Sequence, residues 1–202
     1  MSPILRNLGL QTYQPVWEAM QVFTQQRTDS TPDELWIVEH PPVYTQGLNG
    51  KAEHLLQATD IPLVKSDRGG QITYHGEGQL IIYTLLDLNR LKINSREIVT
   101  LLENAMIQSL AQYGLKAVSK PDAPGVYLDG KKIGSVGLRV KKNGCYHGLS
   151  LNNNLDLTPF SAINPCGFSG LQMTSLAEHG IKIRTEELAM PVISFLFEAL
   201  TL

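Results

Sequence analysis

Hydrophobic and polar positions along this 202-residue chain change period several times, and each change marks an element. Residues 4–10 read as a short strand. Residues 14–27 carry Val16, Trp17, Met20, Val22 and Phe23 at roughly helical spacing, and the polar run 28–33 reads as a loop. Leu35-Trp36-Ile37-Val38 has the continuous apolar character of a buried strand. Glu39-His40-Pro41-Pro42 ends it, because neither proline can donate to a ladder. Extended structure resumes over 43–47, residues 50–60 read as a loop with a short helical turn, and 61–64 as a brief strand. Residues 79–88 are apolar and rich in β-branched side chains, which predicts a central strand. A helix follows, with Asn94 and Glu97 as its capping box and Ile98, Leu101, Leu102, Ala105 and Leu110 on one face. Gly114 stands at its C-terminal end.

The stretch 115–156 is the most legible part. Asp129-Gly130 and Asn143-Gly144 are two-residue hairpin signals that divide it into three antiparallel strands near 125–128, 131–142 and 145–152. Beyond it a polar loop, a helical turn around 175–179 and a strand at Ile181-Lys182-Ile183 are expected. Thr185 then caps a final helix over 186–200, in which Pro191 is expected to introduce a kink. Strands and helices out of strict βαβ order predict an α+β fold with a mixed, largely antiparallel sheet, as one domain over residues 1–202. No repeat, low-complexity stretch or linker interrupts it.

Composition narrows the class of function. Hydrophobic residues make up 43% and charged residues 18%, an ordinary globular balance, and a net charge of −2 gives no general electrostatic case for nucleic acid or an anionic membrane. There is no CxxC and no His/Cys cluster, so neither a metal nor a disulfide framework is expected. With no signal pattern and no apolar run long enough to span a bilayer, the default expectation is a cytoplasmic protein.

Three places could carry chemistry. Asn164-Pro165-Cys166-Gly167 puts one of the two cysteines on a proline-stiffened bend beside a glycine. A buried, inert thiol is the plain alternative. The Asp129-Gly130 turn sets Tyr127 opposite Lys132, and alternation then puts Lys132 on the face of Val136, Leu138 and Val140. That lysine is either partly desolvated or, like Lys131, a solvated charge beside a turn. The Asn143-Gly144 turn pairs Gly137 with Ser150, Arg139 with Gly148 and Ser135 with Asn152, giving a face of small residues that an alkyl chain can approach closely. Because alternation separates Lys132 from Ser135 and Gly137, a bulge near Gly134 is expected. The third place is the glycine-rich run from Arg68 to Gly78, which matches neither phosphate-binding glycine pattern.

Together these segments resemble the lipoyl(octanoyl) transferase family. The resemblance is carried by Arg68-Gly69-Gly70-Gln71-Ile72-Thr73-Tyr74-His75-Gly76 with Gly78-Gln79-Leu80, and by Lys132-Ile133-Gly134-Ser135-Val136-Gly137 with Arg139. His147-Gly148-Leu149-Ser150-Leu151-Asn152 and Ile163-Asn164-Pro165-Cys166-Gly167 complete it. It spans nearly the whole chain, and the one departure is Ser150, where the family often has alanine. The resemblance implies the fold of lipoate and biotin protein ligases and transfer of an octanoyl group from acyl carrier protein to a lysine of lipoyl domains. Those acceptors belong to 2-oxoacid dehydrogenases and the glycine-cleavage H protein. It implies no cofactor and a monomer. Cys166 becomes the acyl-thioester nucleophile and Lys132 the cation that activates it. Substrate contacts fall on Arg68, Gly69, Gly70, Gln71, Ile72, Thr73, Tyr74 and His75, on Ser135, Val136 and Gly137, and on Gly148, Leu149 and Ser150. An ammonium about 4 Å from a thiol of pKa about 8.5 attracts the thiolate by about 4 kcal/mol at a surface-like dielectric, enough to make the anion abundant at neutral pH. Either His75 or Lys132 could deprotonate the acceptor lysine, and the oxyanion is expected at main-chain N–H groups near Cys166 and residues 70–75. Lys131, Arg139, Lys141, Lys142 and Arg68 are candidates for a basic patch facing the acidic carrier. An ATP-dependent lipoate ligase and a non-catalytic lipoyl-domain binder are the alternatives.

Overall fold

The computed structural model describes residues 2–142, 144–167 and 170–201, and at Cys166 the main chain only. The chain opens with β1 (Ile4–Leu10), α1 (Tyr13–Gln26), β2 (Glu34–Glu39) and β3 (Val43–Gln46). A 3-10 turn at Ala52–His54 precedes β4 (Leu63–Lys65), β5 (Ile72–His75) and β6 (Gln79–Leu85). Then come α2 (Leu88–Leu91), α3 (Ser95–Ala111), β7 (Val118–Ser119), β8 (Val126–Leu128), β9 (Lys131–Lys141) and β10 (Gly144–Asn152). Short 3-10 turns at Thr158–Ala162, Pro165–Gly167 and Ala177–His179 lead to α4 (Thr185–Leu200). Among the described residues the strands form a seven-stranded sheet in the order β1-β2-β6-β10-β9-β8-β7 and a three-stranded sheet in the order β4-β3-β5. Among the strand pairs of the described residues, β1–β2 and β3–β4 run parallel and the others antiparallel, so the fold is α+β with largely antiparallel sheets, as the sequence predicts.

Period-two alternation sorts the large sheet into two covered faces. Leu35, Ile37, Leu80, Ile82, Leu149 and Leu151 point to α3 and α4, whose Ile98, Leu102, Met106, Leu188, Val192 and Leu196 complete the main core. Trp36, Val38, Ile81, Tyr83 and Tyr146 point the other way, where Val16 and Met20 of α1 cover part of the face. The capping box predicted for α3 is present: Asn94 Oδ1 accepts from Arg96 and Glu97, and Glu97 Oε2 accepts from Asn94 N–H at 2.7 Å.

The structure corrects several details of the sequence reading. β5 lies inside the run 68–78 read as a glycine-rich loop. The central strand stops at Leu85, because Asp87 caps α2 by accepting from Asn89 and Arg90 N–H. Residues 181–183, read as a strand, pair with no ladder. Ile181 N–H bonds back to Leu176 O, and Ile183 O accepts from Asn153 Nδ2, while both isoleucines pack onto the main core. Thr185 is the first residue of α4 rather than its cap, the N-cap being Arg184. The helix continues through Pro191.

The hairpin register also differs. Lys141 pairs with Gly144, so the ladder closes one residue earlier than the Asn-Gly signal implies, and Asn143 itself lies outside the described residues. The pairs become Gly137 with Gly148, Ser135 with Ser150 and Arg139 with Tyr146. The two-position difference keeps the small residues on one face. At the other hairpin, Asp129 and Gly130 sit at φ 48 and 83, the left-handed pair that a type I′ turn requires, and Tyr127 faces Lys132. The bulge expected near Gly134 is there: Tyr127 pairs with Lys132 but Val126 with Gly134, leaving Ile133 unopposed.

Gly148 shows how tightly the small-residue face is drawn together. A Cβ there would overlap the Ile82 carbonyl oxygen of the neighbouring strand. Gly148→Ala is therefore expected to destabilise the fold by about 1–3 kcal/mol, measured as a lower urea midpoint at an unchanged denaturant slope.

Candidate active site

A cavity of about 940 Å³ opens along β9. Its position follows from strand lengths: β8 pairs with β9 only as far as Gly134, so the outer edge of β9 beyond that residue has no strand beside it. The chain before β5 crosses this gap and ties to the edge by Gly69 N–H donating to Leu138 O at 2.9 Å. The floor is the small-residue face. Gly137, Gly148 and Tyr83 form one cross-strand row, and Ser135, Ser150 and Ile81 the next.

Most residues that the resemblance marks as substrate contacts converge here. Arg68, Gly69, Gly70, Gln71, Ile72, Thr73 and His75 line the cavity, as do Ser135, Val136, Gly137, Gly148, Leu149, Ser150 and Lys132. Tyr74 does not. Alternation along β5 turns it to the opposite side, where its ring lies 5.6 Å from Tyr44 and 5.4 Å from Phe160 in the core of the small sheet. Arg68 is buried rather than part of a surface patch: its Nε donates to Thr45 Oγ1 at 3.0 Å, and its stem lies over Gly137.

The inner end of the cavity is polar and hydrogen-bonded to itself. His75 Nδ1 is 2.7 Å from Gln79 Oε1, and its Nε2 is 3.2 Å from Thr45 Oγ1. Burial, helped by nearby His40, lowers its pKa to about 3, so the ring is neutral. His40 bonds Gln11 O and the Tyr83 hydroxyl, and burial lowers it to about 4. His147, at φ 64, bonds Asp67 at 3.1 Å. Burial opposes ionisation of Asp67, but hydrogen bonds from His147, Tyr146 and Trp17 outweigh it and hold the carboxyl well below the usual range. Tyr13, Ile81 and Tyr83 line the cavity without having been expected there from the sequence, and His147, which opens one of the segments that carry the resemblance, lines it as well. For Ile81 and Tyr83 the signal was available, since period-two counting from Leu80 puts both on the face away from α3 and α4.

Lys132 is 1% exposed, against the exposed Lys131 beside it. The register explains the contrast: the bulge at Ile133 turns the Lys132 side chain inward over the Tyr127 ring, whose centroid is 5.6 Å from Nζ. Nζ donates to Pro124 O at 2.8 Å. The Lys132 main chain pairs with the segment that follows Cys166, through Lys132 N–H to Gln172 O and Thr174 N–H to Lys132 O, each 2.9 Å. The Cys166 side chain lies outside the described residues. Its main chain sits in the Pro165–Gly167 turn, anchored by Asn164 N–H to His54 O at 2.9 Å and packed at Gly167 against cavity-lining Gln71. The other cysteine, Cys145, is 1% exposed and burial pushes its thiol up to about 12, so it is an inert core residue.

The chain belongs to the lipoyl protein ligase A/B catalytic domain family, whose pattern it matches over residues 12–196. Within that family it is similar to the octanoyltransferase of Laribacter hongkongensis, 56% identical over 192 residues that cover 95% of this chain and 93% of that protein. Lipoate-protein ligase A bound with ATP shares the fold at 16% identity with a TM-score of 0.83, covering 99% of this chain and 86% of that one. The biotin protein ligase of Aquifex aeolicus does so at 15% identity with a TM-score of 0.59, covering 99% and 70%. The described residues hold no cluster of three or more potential metal ligands, and none of their helices is long and apolar enough to cross a membrane.

The depressed histidines fix a pH dependence of stability. In the unfolded chain His75 titrates near its ordinary value of 6.5, while in the fold it does so at about 3. Between these values the unfolded state binds more protons, so stability is full above about 6.5 and falls as pH drops. Urea unfolding of His75→Gln is expected to show a shallower loss between pH 6.5 and 4, by up to about 1.4 kcal/mol per pH unit.

Proposed function

We infer that this chain is an acyltransferase that moves an octanoyl group onto a lysine of lipoyl domains, through a thioester on Cys166. The names of its relatives give the activity. The observation that carries the chemistry is Lys132: an ammonium buried at the cavity wall, with its main chain laddered to the segment leaving Cys166. In this reading the Cys166 thiolate attacks the thioester carbonyl of octanoyl-acyl carrier protein. The intermediate collapses, the carrier sulfur leaves and takes a proton from Lys132, and octanoyl remains on Cys166. The acceptor lysine then attacks that carbonyl, the neutral Lys132 amine takes the amine's proton, and an amide forms as the Cys166 thiolate departs. His75 is a poor base for this step, because both ring nitrogens already face protein partners. Trading a thioester for an amide drives the sequence forward.

The acidic carrier would meet Lys131, Arg139, Lys141 and Lys142, while Arg68 is removed from that group by its burial. The acceptors would be lipoyl domains of 2-oxoacid dehydrogenases and of the glycine-cleavage H protein. A monomer working without a cofactor in the reducing cytoplasm suits a mechanism that needs a free thiol.

Incubation with octanoyl-acyl carrier protein in the absence of ATP is expected to add one octanoyl group to the Cys166 peptide, read by mass spectrometry, and Cys166→Ala should abolish both the adduct and transfer. A strict requirement for ATP would instead favour a lipoate ligase. Unchanged lipoyl-domain modification after alkylation of Cys166 would remove the thioester from the path. In a second test, each methylene removed from the acyl chain should cost about 0.8 kcal/mol, or about fourfold in kcat/KM, until the chain no longer fills the cavity.

A further inference from the structure

We propose that Glu103 is a positioning residue for the transfer reaction, acting on Lys132 through the one peptide unit that joins Pro124 to Gly125. The proposal rests on the reading of Lys132 given above. Glu103 lies on α3 with its side chain turned toward the cavity, 8% exposed, between the core residues Leu102 and Ala105. A buried carboxylate there is costly unless it is bonded. Its Oε1 accepts from Gly125 N–H at 2.7 Å. The carbonyl at the other end of the same peptide unit, Pro124 O, accepts from Lys132 Nζ at 2.8 Å. The sequence of contacts is carboxylate, N–H, C=O, ammonium. A carboxylate on the N–H end polarises the amide and strengthens the carbonyl as an acceptor for the cation.

Geometry makes Glu103 more than a filler. Gly125 is at φ 130, where a side chain is strained, and a Cβ on it would stand 2.5 Å from Lys132 Cε and 2.6 Å from Gly134 O. Glycine is therefore required for the loop to pass over the lysine. It also leaves the 124–125 peptide free to rotate, because glycine tolerates both signs of φ. A flipped peptide would aim its N–H at the Lys132 ammonium and its carbonyl at the Glu103 carboxylate, two repulsive contacts. Glu103 thereby selects the orientation that receives Lys132. The preceding peptide is pinned separately, by the Tyr127 hydroxyl donating to Ala123 O at 2.8 Å.

The test is the rate at which iodoacetamide alkylates Cys166 at pH 7, read by mass spectrometry of its peptide in the full-length protein. Cys145 does not interfere, because it is 1% exposed. Glu103→Gln keeps the shape and an acceptor oxygen but loses the charge. Hydrogen bonds to charged groups are worth enough that alkylation and the kcat of octanoyl transfer are both expected to fall about tenfold. KM for the donor should stay within about twofold. In a Lys132→Met background the same change should cost less than about twofold, because a residue that acts through Lys132 has nothing left to act on. Wild-type alkylation in Glu103→Gln, or a full tenfold loss that persists without Lys132, overturns the proposal. If Glu103→Gln does not fold, Glu103→Asp keeps the charge but withdraws the oxygens by one methylene, and a wild-type alkylation rate there overturns it equally. The alkylation series needs no acyl donor. Failure of wild-type protein to accept octanoyl on Cys166 would count against the functional reading, and the Glu103 result would stand apart from it.

Discussion

Placing an ammonium inside a protein sets the terms for everything built around it. Removing a charged amine from water costs several kcal/mol unless the site returns comparable interactions. Lys132 receives them from the Pro124 carbonyl, from the face of Tyr127, and from a main chain paired on both sides, with β8 through Tyr127 and with residues 172–174 through two hydrogen bonds. Each partner depends on a particular local choice. The type I′ turn at Asp129-Gly130 sets Tyr127 opposite Lys132, the bulge at Ile133 re-aims the side chain, and Gly125 lets the covering loop pass at contact distance. Without the bulge, strict alternation would put Lys132 on the face of Val136 and Leu138, away from Ser135 and Gly137.

The polar part of the site is tied together by its own hydrogen bonds. A buried run of hydrogen bonds leads from Arg68 to Thr45, His75, Gln79, Asn152 and Thr174 O, and Thr174 N–H closes on Lys132 O. It crosses from the small sheet to the large one and reaches the segment that follows Cys166. Because its members are satisfied by one another, the run acts as rigid support. His75, neutral within the run, adds no positive charge between Arg68 and Lys132, while Arg96 and Lys120 line the cavity elsewhere, Lys120 Nζ lying 4.2 Å from the Tyr127 ring centroid. Preorganisation of this kind suits the thioester exchange proposed above, since such an exchange is nearly isoenergetic and gains most from positioning.

Much of this arrangement could be read from residue order. The Asn94–Glu97 box, the Asp129-Gly130 turn, the bulge near Gly134 and the small-residue face are local or period-two signals, and local signals survive folding. The Asn143-Gly144 turn misled by one residue, because register is decided by the whole β9–β10–β6 ladder rather than by a dipeptide. The strand at 181–183 failed because a β-branched run becomes a strand only where a free edge meets it. β5 was hidden by the glycines that flank it, and Tyr74 was carried into the site by its neighbours in sequence although the pleat turns it away. Glu103 left no trace at all: among α3's apolar positions it reads as one more helix glutamate, and only the folded loop at Pro124-Gly125 gives it a partner.

The cavity floor has a further consequence for acyl selection. Where side chains wall a pocket, its depth can adjust by a change of rotamer. Here the closest approach is to main chain, since Gly137 and Gly148 face each other across the β9–β10 ladder and a Cβ at Gly148 would strike Ile82 O. A β-ladder does not yield by a fraction of an ångström without breaking hydrogen bonds. The one movable wall at this point is the Arg68 stem over Gly137, and its guanidinium is fixed by Thr45. If the cavity holds the acyl chain as proposed above, chain length would be measured against a rigid backbone surface, so discrimination should come from unfilled space with short chains and from hard overlap with long ones, with little induced adjustment between them.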